Sequence, residues 1–128
     1  TAAMELSEHV VYKGEVLHGE IARALQQADA LILYSHYETF GNVVMEANAC
    51  GLPVIVSDLP VFHEIVTEGE NGLFVSPENM NALAGKMLWM KKNIQQFDSE
   101  KIAATAKVRF SKEKIAALFD ELYKKHFT

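Results

Sequence analysis

Two glutamates, Glu38 and Glu46, stand with seven residues between them in the run Glu38-Thr39-Phe40-Gly41-Asn42-Val43-Val44-Met45-Glu46. The residues between them read as a loop followed by a glycine-started helix from about Gly41 to Cys50. The first-turn N–H groups of such a helix are unpaired, and its dipole favours an anion, each charge interaction being worth about 0.3–1 kcal/mol. A phosphate can sit there without a basic side chain. Gly41 has no Cβ, so a ligand oxygen is expected to approach the backbone closely. Asn42 and Glu46 are four apart and share a helix face, while Val43, Ala47 and Cys50 lie together on a face suited to packing on a sheet. Glu46 is then one turn in from the anion site, and Glu38 reaches over the same mouth from the loop. Two carboxylate acceptors flanking an anion hole suit sugar hydroxyls on either side of a diphosphate.

The flanking elements must hold this junction still. Short apolar runs alternate with amphipathic stretches, the order that makes a parallel sheet covered by helices. Val10-Val11-Tyr12 reads as a first strand closed by Gly14. A helix follows over Glu20–Ala28, with Ile21, Ala24, Leu25 and Ala28 on one face. Ala30-Leu31-Ile32-Leu33-Tyr34 is apolar throughout, as for a central strand covered on both faces. After the Gly41 helix, Gly51 and Pro53 mark a stop before the strand Val54-Ile55-Val56. A short helix through Val66, a turn from Gly69 to Gly72 and the strand Leu73-Phe74-Val75 come next. Ser76-Pro77 reads as cap and first-turn residue of a helix carrying Leu83, Met87 and Met90. Two further helices are expected, over about Ser99–Val108 and Lys112–His126. The predicted fold is α/β: a truncated, doubly wound Rossmann-like domain with a parallel sheet of about four strands, flanked by helices and ending in C-terminal helices. Thr1–His9 resembles the tail of a helix, and the opening βα units of such a sheet are missing from this reading.

Composition narrows the function classes. With 128 residues and 49% hydrophobic content, the chain suits one compact domain. The formal charge of −5 comes without a basic stripe, so nucleic acid is not an expected partner. One cysteine, Cys50, precludes an internal disulfide and reads as a small core residue rather than a nucleophile. The five histidines lack metal-ligand spacing and no Asp-x-Asp element occurs, so neither a metal nor another cofactor is expected. Met87, Trp89, Met90 and Phe97 read as core or interdomain packing. His36 lies near the mouth and is a lesser candidate for an acceptor contact. The apolar runs are too short to span a bilayer. A cytoplasmic location is therefore expected, with Lys91-Lys92 and Lys124-Lys125 leaving open a peripheral contact at the inner membrane face.

The run Glu38–Glu46, continued by Ala47-Asn48-Ala49-Cys50-Gly51-Leu52-Pro53-Val54-Ile55, resembles the E-x7-E region of family 4 retaining glycosyltransferases, enzymes of the two-Rossmann-domain (GT-B) architecture. The likeness extends through Ala28-Asp29-Ala30, His63-Glu64-Ile65-Val66, Asn71-Gly72-Leu73-Phe74-Val75 and Ala82-Leu83-Ala84, and so covers most of the chain. It implies that residues 1–128 are part of a C-terminal nucleotide-sugar-binding domain, partnered by an N-terminal domain of the same polypeptide. By the same resemblance, Glu38 contacts the transferred sugar and is the candidate catalytic residue. Phe40, Gly41, Asn42 and Val43 offer backbone to sugar and diphosphate, and Glu46 holds the ribose. Lys13-Gly14-Glu15-Val16 resembles, over a short stretch, the segment edging the nucleobase, which implicates Gly14 and Glu15. Thr39 stands where the family often has glycine, and Asp58-Leu59-Pro60-Val61 replaces a common Gly-Gly. The basic pair that neutralises the diphosphate has no counterpart in these residues. The implied partners are a nucleoside-diphosphate sugar and an acceptor that is a glycan, a lipid-linked molecule or a small molecule. Two alternatives stay open: a non-catalytic nucleotide-binding or interaction module, and a nucleotide-sugar epimerase or phosphorylase of the same architecture.

Overall fold

A computed structural model describes residues 6–38, 41–111 and 113. The element order is α1 (His18–Gln27), β1 (Leu31–Leu33), α2 (Asn42–Ala49), β2 (Val54–Ser57), α3 (Pro60–His63), β3 (Gly72–Val75), α4 (Met80–Asn93), a 3₁₀ turn (Ile94–Gln96) and α5 (Ser99–Phe110). The three strands form one parallel sheet in the order β1-β2-β3, with Leu31 opposite Val54 and Val56 opposite Phe74. Each crossover between parallel neighbours runs through a helix, α2 and then α3, as parallel pairing requires.

Side-chain alternation along the strands sorts the core into two layers. Val54 and Val56 join Leu25, Val44, Ala47, Phe62, Ile65 and Val66 on the α1, α2 and α3 side. Ile55, Leu73 and Val75 join Met90 and Phe97 on the α4 side, where α5 contributes Ile102 while its other residues pack along α2. Every residue of β2 is buried, so β2 is the central strand.

The expected strand at Val10–Tyr12 is not formed. Val11 and Tyr12 are 76% and 94% exposed, and no described segment pairs with them, so β-branched residues alone do not sustain a strand. The sheet therefore has three strands among the described residues, not four. Ala30–Tyr34 is likewise shorter and placed differently from expectation: Leu31–Leu33 is an edge strand, and Ile32 faces outward with 41% exposure. An apolar run shows that a strand wants cover on both faces but not whether the chain supplies it. Beside Ile32 an open apolar groove is lined by Ala30, Ile55, Met87, Leu88 and Met90.

Helix ends follow local chemistry. Cys50 caps the C-terminus of α2, and Gly51 turns the chain with φ +83°, as expected from its lack of a Cβ. Cys50 is exposed, contrary to its expected core position, because the helix ends at Ala49 and its sheet-facing stripe is Val44, Ala47 and Asn48. Val43 is only partly buried, against the side of that core. At α4 the cap is Asn79, whose side chain accepts a bond from the Ala82 amide at 2.9 Å; Ser76-Pro77 forms a turn before it rather than its start. Met90 and Phe97 are buried in the core, while Met87 and Trp89 are 44% and 41% exposed. Asp98 caps α5 by accepting from the Lys101 amide at 3.1 Å. The helix expected over Lys112–His126 lies outside the described residues apart from Glu113, as do the first five residues, and Leu6–Val10 forms a single hydrogen-bonded turn.

The one polar group in the α2 stripe is fully partnered. Asn48, 1% exposed, donates to the Leu52 carbonyl at 2.9 Å and accepts from the Asn71 side-chain amide at 3.1 Å. Asn71 in turn donates to the Ile65 carbonyl and accepts from the Thr67 amide. This network ties the C-terminus of α2 to the turn that opens β3.

Candidate functional site

The carboxyl ends of the three strands lie along one edge of the sheet, where open α/β sheets place their ligands. The loop leaving β1 carries Tyr34 to Glu38, and two hydrogen bonds anchor its start. The Ser35 amide donates to the Ser57 hydroxyl at 2.7 Å, and the Tyr34 hydroxyl donates to the Ser76 carbonyl at 3.2 Å. Next to it, Asp58 accepts from the His63 imidazole at 2.5 Å, and the His63 ring stacks on Phe74 with centroids 4.3 Å apart. The His63–Asp58 pair is exposed, so it adds little to stability.

Glu38 is half-buried at the end of the described part of that loop; Thr39 and Phe40 lie outside the described residues. The chain re-enters at Gly41, the N-cap of α2, in the left-handed conformation with φ +66° and ψ +35°. The Gly41 carbonyl accepts from the amides of Val44 and Met45. Among the described residues no side chain caps this helix, and the amides of Asn42 and Val43 have no partner. No acidic residue occupies the first turn. Unpaired first-turn amides and the helix dipole together favour negative charge at such a terminus.

The expected reason for glycine at position 41 is corrected. A Cβ there would stand 3.0 Å from Phe62 Cε1 and 3.1 Å from Ile65 Cδ1. The space beside the Cα is filled by the side chains of α3 and the residues after it, not left open for a ligand oxygen. Gly41 is required by its backbone angle and by this packing.

The structure divides the other candidates between two grooves flanking α2. Asn42 and Glu46 line one together with Met45, Lys107 and Phe110, so their four-residue spacing does place them on one face. Val43 lines the other with Lys13, Val16, Ile21 and Leu31. Gly14, at φ +65°, and Glu15 lie in the exposed segment between Lys13 and Val16, so the short 10–17 stretch does approach the start of α2. Glu38 lines neither groove. His36 is exposed beside Tyr34, ring centroids 6.4 Å apart.

Three contributors escaped the sequence reading. Lys107 and Phe110 sit on α5, and nothing in their spacing places them beside Glu46. Ser57 carried a readable signal, a hydroxyl ending an otherwise apolar strand. Among the described residues no group of three His, Cys, Asp or Glu side chains is arranged to hold a metal ion, and no helix is long and apolar enough to cross a membrane.

A parallel α/β sheet with an anion-ready helix after its edge strand defines a Rossmann-like ligand-binding unit of the kind found in GT-B glycosyltransferases. Residues 1–109 match the family model described as Glycosyl transferases group 1, and the chain belongs to that family. It is 30% identical over 109 residues to a glycogen synthase of Mycobacterium tuberculosis, covering 85% of this chain and 25% of the relative. It is 39% identical over 93 residues to the O-antigen chain mannosyltransferase RfbU of Salmonella typhimurium, covering 73% and 25%. Among solved structures, sucrose-phosphate synthase from Thermosynechococcus elongatus superposes with a TM-score of 0.86 at 30% identity, covering 98% of this chain and 32% of that one. Anabaena HepE, in complex with UDP and glucose, shares the fold with a TM-score of 0.85 at 24% identity, over 97% and 34%. The chain thus spans about a quarter of the length of these curated relatives.

Proposed function

We propose that this chain is the donor-binding part of a retaining glycosyltransferase, which moves a sugar from a nucleoside diphosphate to an acceptor with the anomeric configuration kept. The observation that carries the proposal is the uncapped N-terminus of α2, set just after the edge strand of the sheet and bracketed by Glu38 and Glu46. The amides of Asn42 and Val43, with the backbone of Phe40 and Gly41, receive the diphosphate and the edge of the sugar. As the bond from the anomeric carbon to the diphosphate breaks, negative charge grows on the leaving oxygen. A fixed helix terminus stabilises that charge without reorganising, a preorganised electrostatic effect of the oxyanion-hole type.

Glu38 orients the transferred sugar from the loop, and Glu46 accepts from the ribose hydroxyls in the groove it shares with Asn42. Gly14 and Glu15 are the base edge that the family resemblance implies. The reaction so described uses no metal ion and no bound cofactor. The acceptor and the other half of the cleft belong to an N-terminal domain of the same polypeptide, so the 128-residue chain alone is inactive or nearly so.

The test is calorimetric titration of the full-length protein with UDP, UDP-glucose, GDP-mannose and ADP-glucose. UDP is a natural first probe because the Anabaena relative holds UDP and glucose on this fold. Saturable binding of one nucleotide sugar, lost on replacing Glu46 by alanine, is the expected result. No binding by any of the panel, or binding indifferent to Glu46, would refute the donor site.

A further inference from the structure

We propose that Ser57 is a positioning residue for Glu38, holding the β1 loop through its hydroxyl; the inference rests on the donor-site reading above. Ser57 is the last residue of β2 and 0% exposed, after three apolar strand residues. Burying a hydroxyl without a partner is unfavourable, and here its Oγ accepts from the Ser35 amide at 2.7 Å.

The bond lies where the sheet stops. The β1–β2 ladder ends at the pair Leu33 and Val56, and one step further the β2 side chain, rather than its backbone, takes the next contact from the β1 loop. The chain therefore leaves the sheet from a fixed point at Ser35. Tyr34 adds a second tether through its hydroxyl bond to the Ser76 carbonyl, so the first two residues of the loop are tied to both other strand ends. Glu38 follows three residues later, within about 10 Å of extended chain from the anchor. Removing the Ser57 hydroxyl frees the backbone at Ser35 and leaves only the Tyr34 side-chain tether, which lengthens the free segment that carries the carboxylate. Displacement of a positioned group by about 1 Å can cost about 100-fold in rate.

The effect should fall on the sugar and not on the nucleotide, because α2 and Glu46 are held separately by the Phe62 and Asn48 packing. In the full-length protein, with the nucleotide sugar of the panel that binds, Ser57→Ala is expected to lower kcat about 10- to 100-fold and to leave the affinity for the bare nucleoside diphosphate unchanged. Ser57→Thr keeps the acceptor and is expected to restore most of kcat. Hydrogen exchange read at the Ser35 amide should be slow in the unmodified protein, fast in Ser57→Ala and slow again in Ser57→Thr. An unmodified Ser35 amide exchanging as freely as that of exposed Tyr37 would overturn the proposal without need of any variant. Undiminished turnover in Ser57→Ala, alongside a large loss in Glu38→Gln, would overturn the positioning role alone. Undiminished turnover in Glu38→Gln would bring down the role assigned to Glu38 and this inference with it.

Discussion

The Phe62 ring edge lies 3.0 Å from where a Cβ on residue 41 would stand, so a side chain at the cap of α2 would crowd the buried face of α3. Gly41→Ala meets two costs at once: a left-handed backbone angle, about 1–2 kcal/mol for a residue with a Cβ, and overpacking, about 1–3 kcal/mol. The expected loss of unfolding free energy is about 2–5 kcal/mol, read from urea denaturation. Phe62→Leu introduced beside it should relieve the overpacking only. The double-mutant cycle should then show a favourable coupling of about 0.5–3 kcal/mol; simple additivity would mean that the ring does not constrain the cap.

Glu46 faces the groove it shares with Asn42, and in the full-length protein its replacement by alanine removes a charge-assisted hydrogen bond to the donor. Such a bond is worth about 1.5–3 kcal/mol, so donor-dependent kcat/KM should fall about 10- to 100-fold. Steady-state kinetics with varied nucleotide sugar measure it, and unchanged constants would remove Glu46 from the site.

Asn48→Leu keeps the volume of the α2 stripe and deletes its polar contacts. The Leu52 carbonyl loses its donor from Asn48, and the Asn71 amide loses one of its acceptors. A destabilisation of about 1–3 kcal/mol follows, seen as a lower denaturation midpoint with unchanged slope. A more stable variant would mean that the asparagine pair is dispensable.

Cys50 is exposed at the end of α2. A water-soluble maleimide should label it in the folded protein without denaturant, to one equivalent, since the chain has 1 cysteine. Labelling only after unfolding would return Cys50 to the core.

Much of this was readable from residue order. Gly51 and Pro53 marked the end of α2, and the alternation of apolar runs with amphipathic stretches indicated parallel strands with helical crossovers. The four-residue spacing of Asn42 and Glu46 placed them on one face before any coordinates. What escaped depended on partners distant in sequence. Val10–Tyr12 has strand-like residues but no neighbour to bond among the described residues, and Ile32 sits in an apolar run whose outer cover the described chain does not provide. Phe62 behind Gly41 and Lys107 beside Glu46 come from α3 and α5, and no local pattern ties them to α2. Cys50 was misplaced because the buried stripe of α2 runs through Val44, Ala47 and Asn48 rather than through Val43, Ala47 and Cys50.

The uncovered flank of β1 bears on how the polypeptide behaves in a tube. Its outward edge has no pairing strand among the described residues, and the adjacent surface is Ile32, Met87 and Leu88, exposed at 41%, 44% and 60%. Open strand edges beside apolar surface template pairing with other chains. Asp29 and Lys91 are the charged residues among those lining that groove, so the solubility of this chain on its own is set by a few lightly guarded residues of sheet edge.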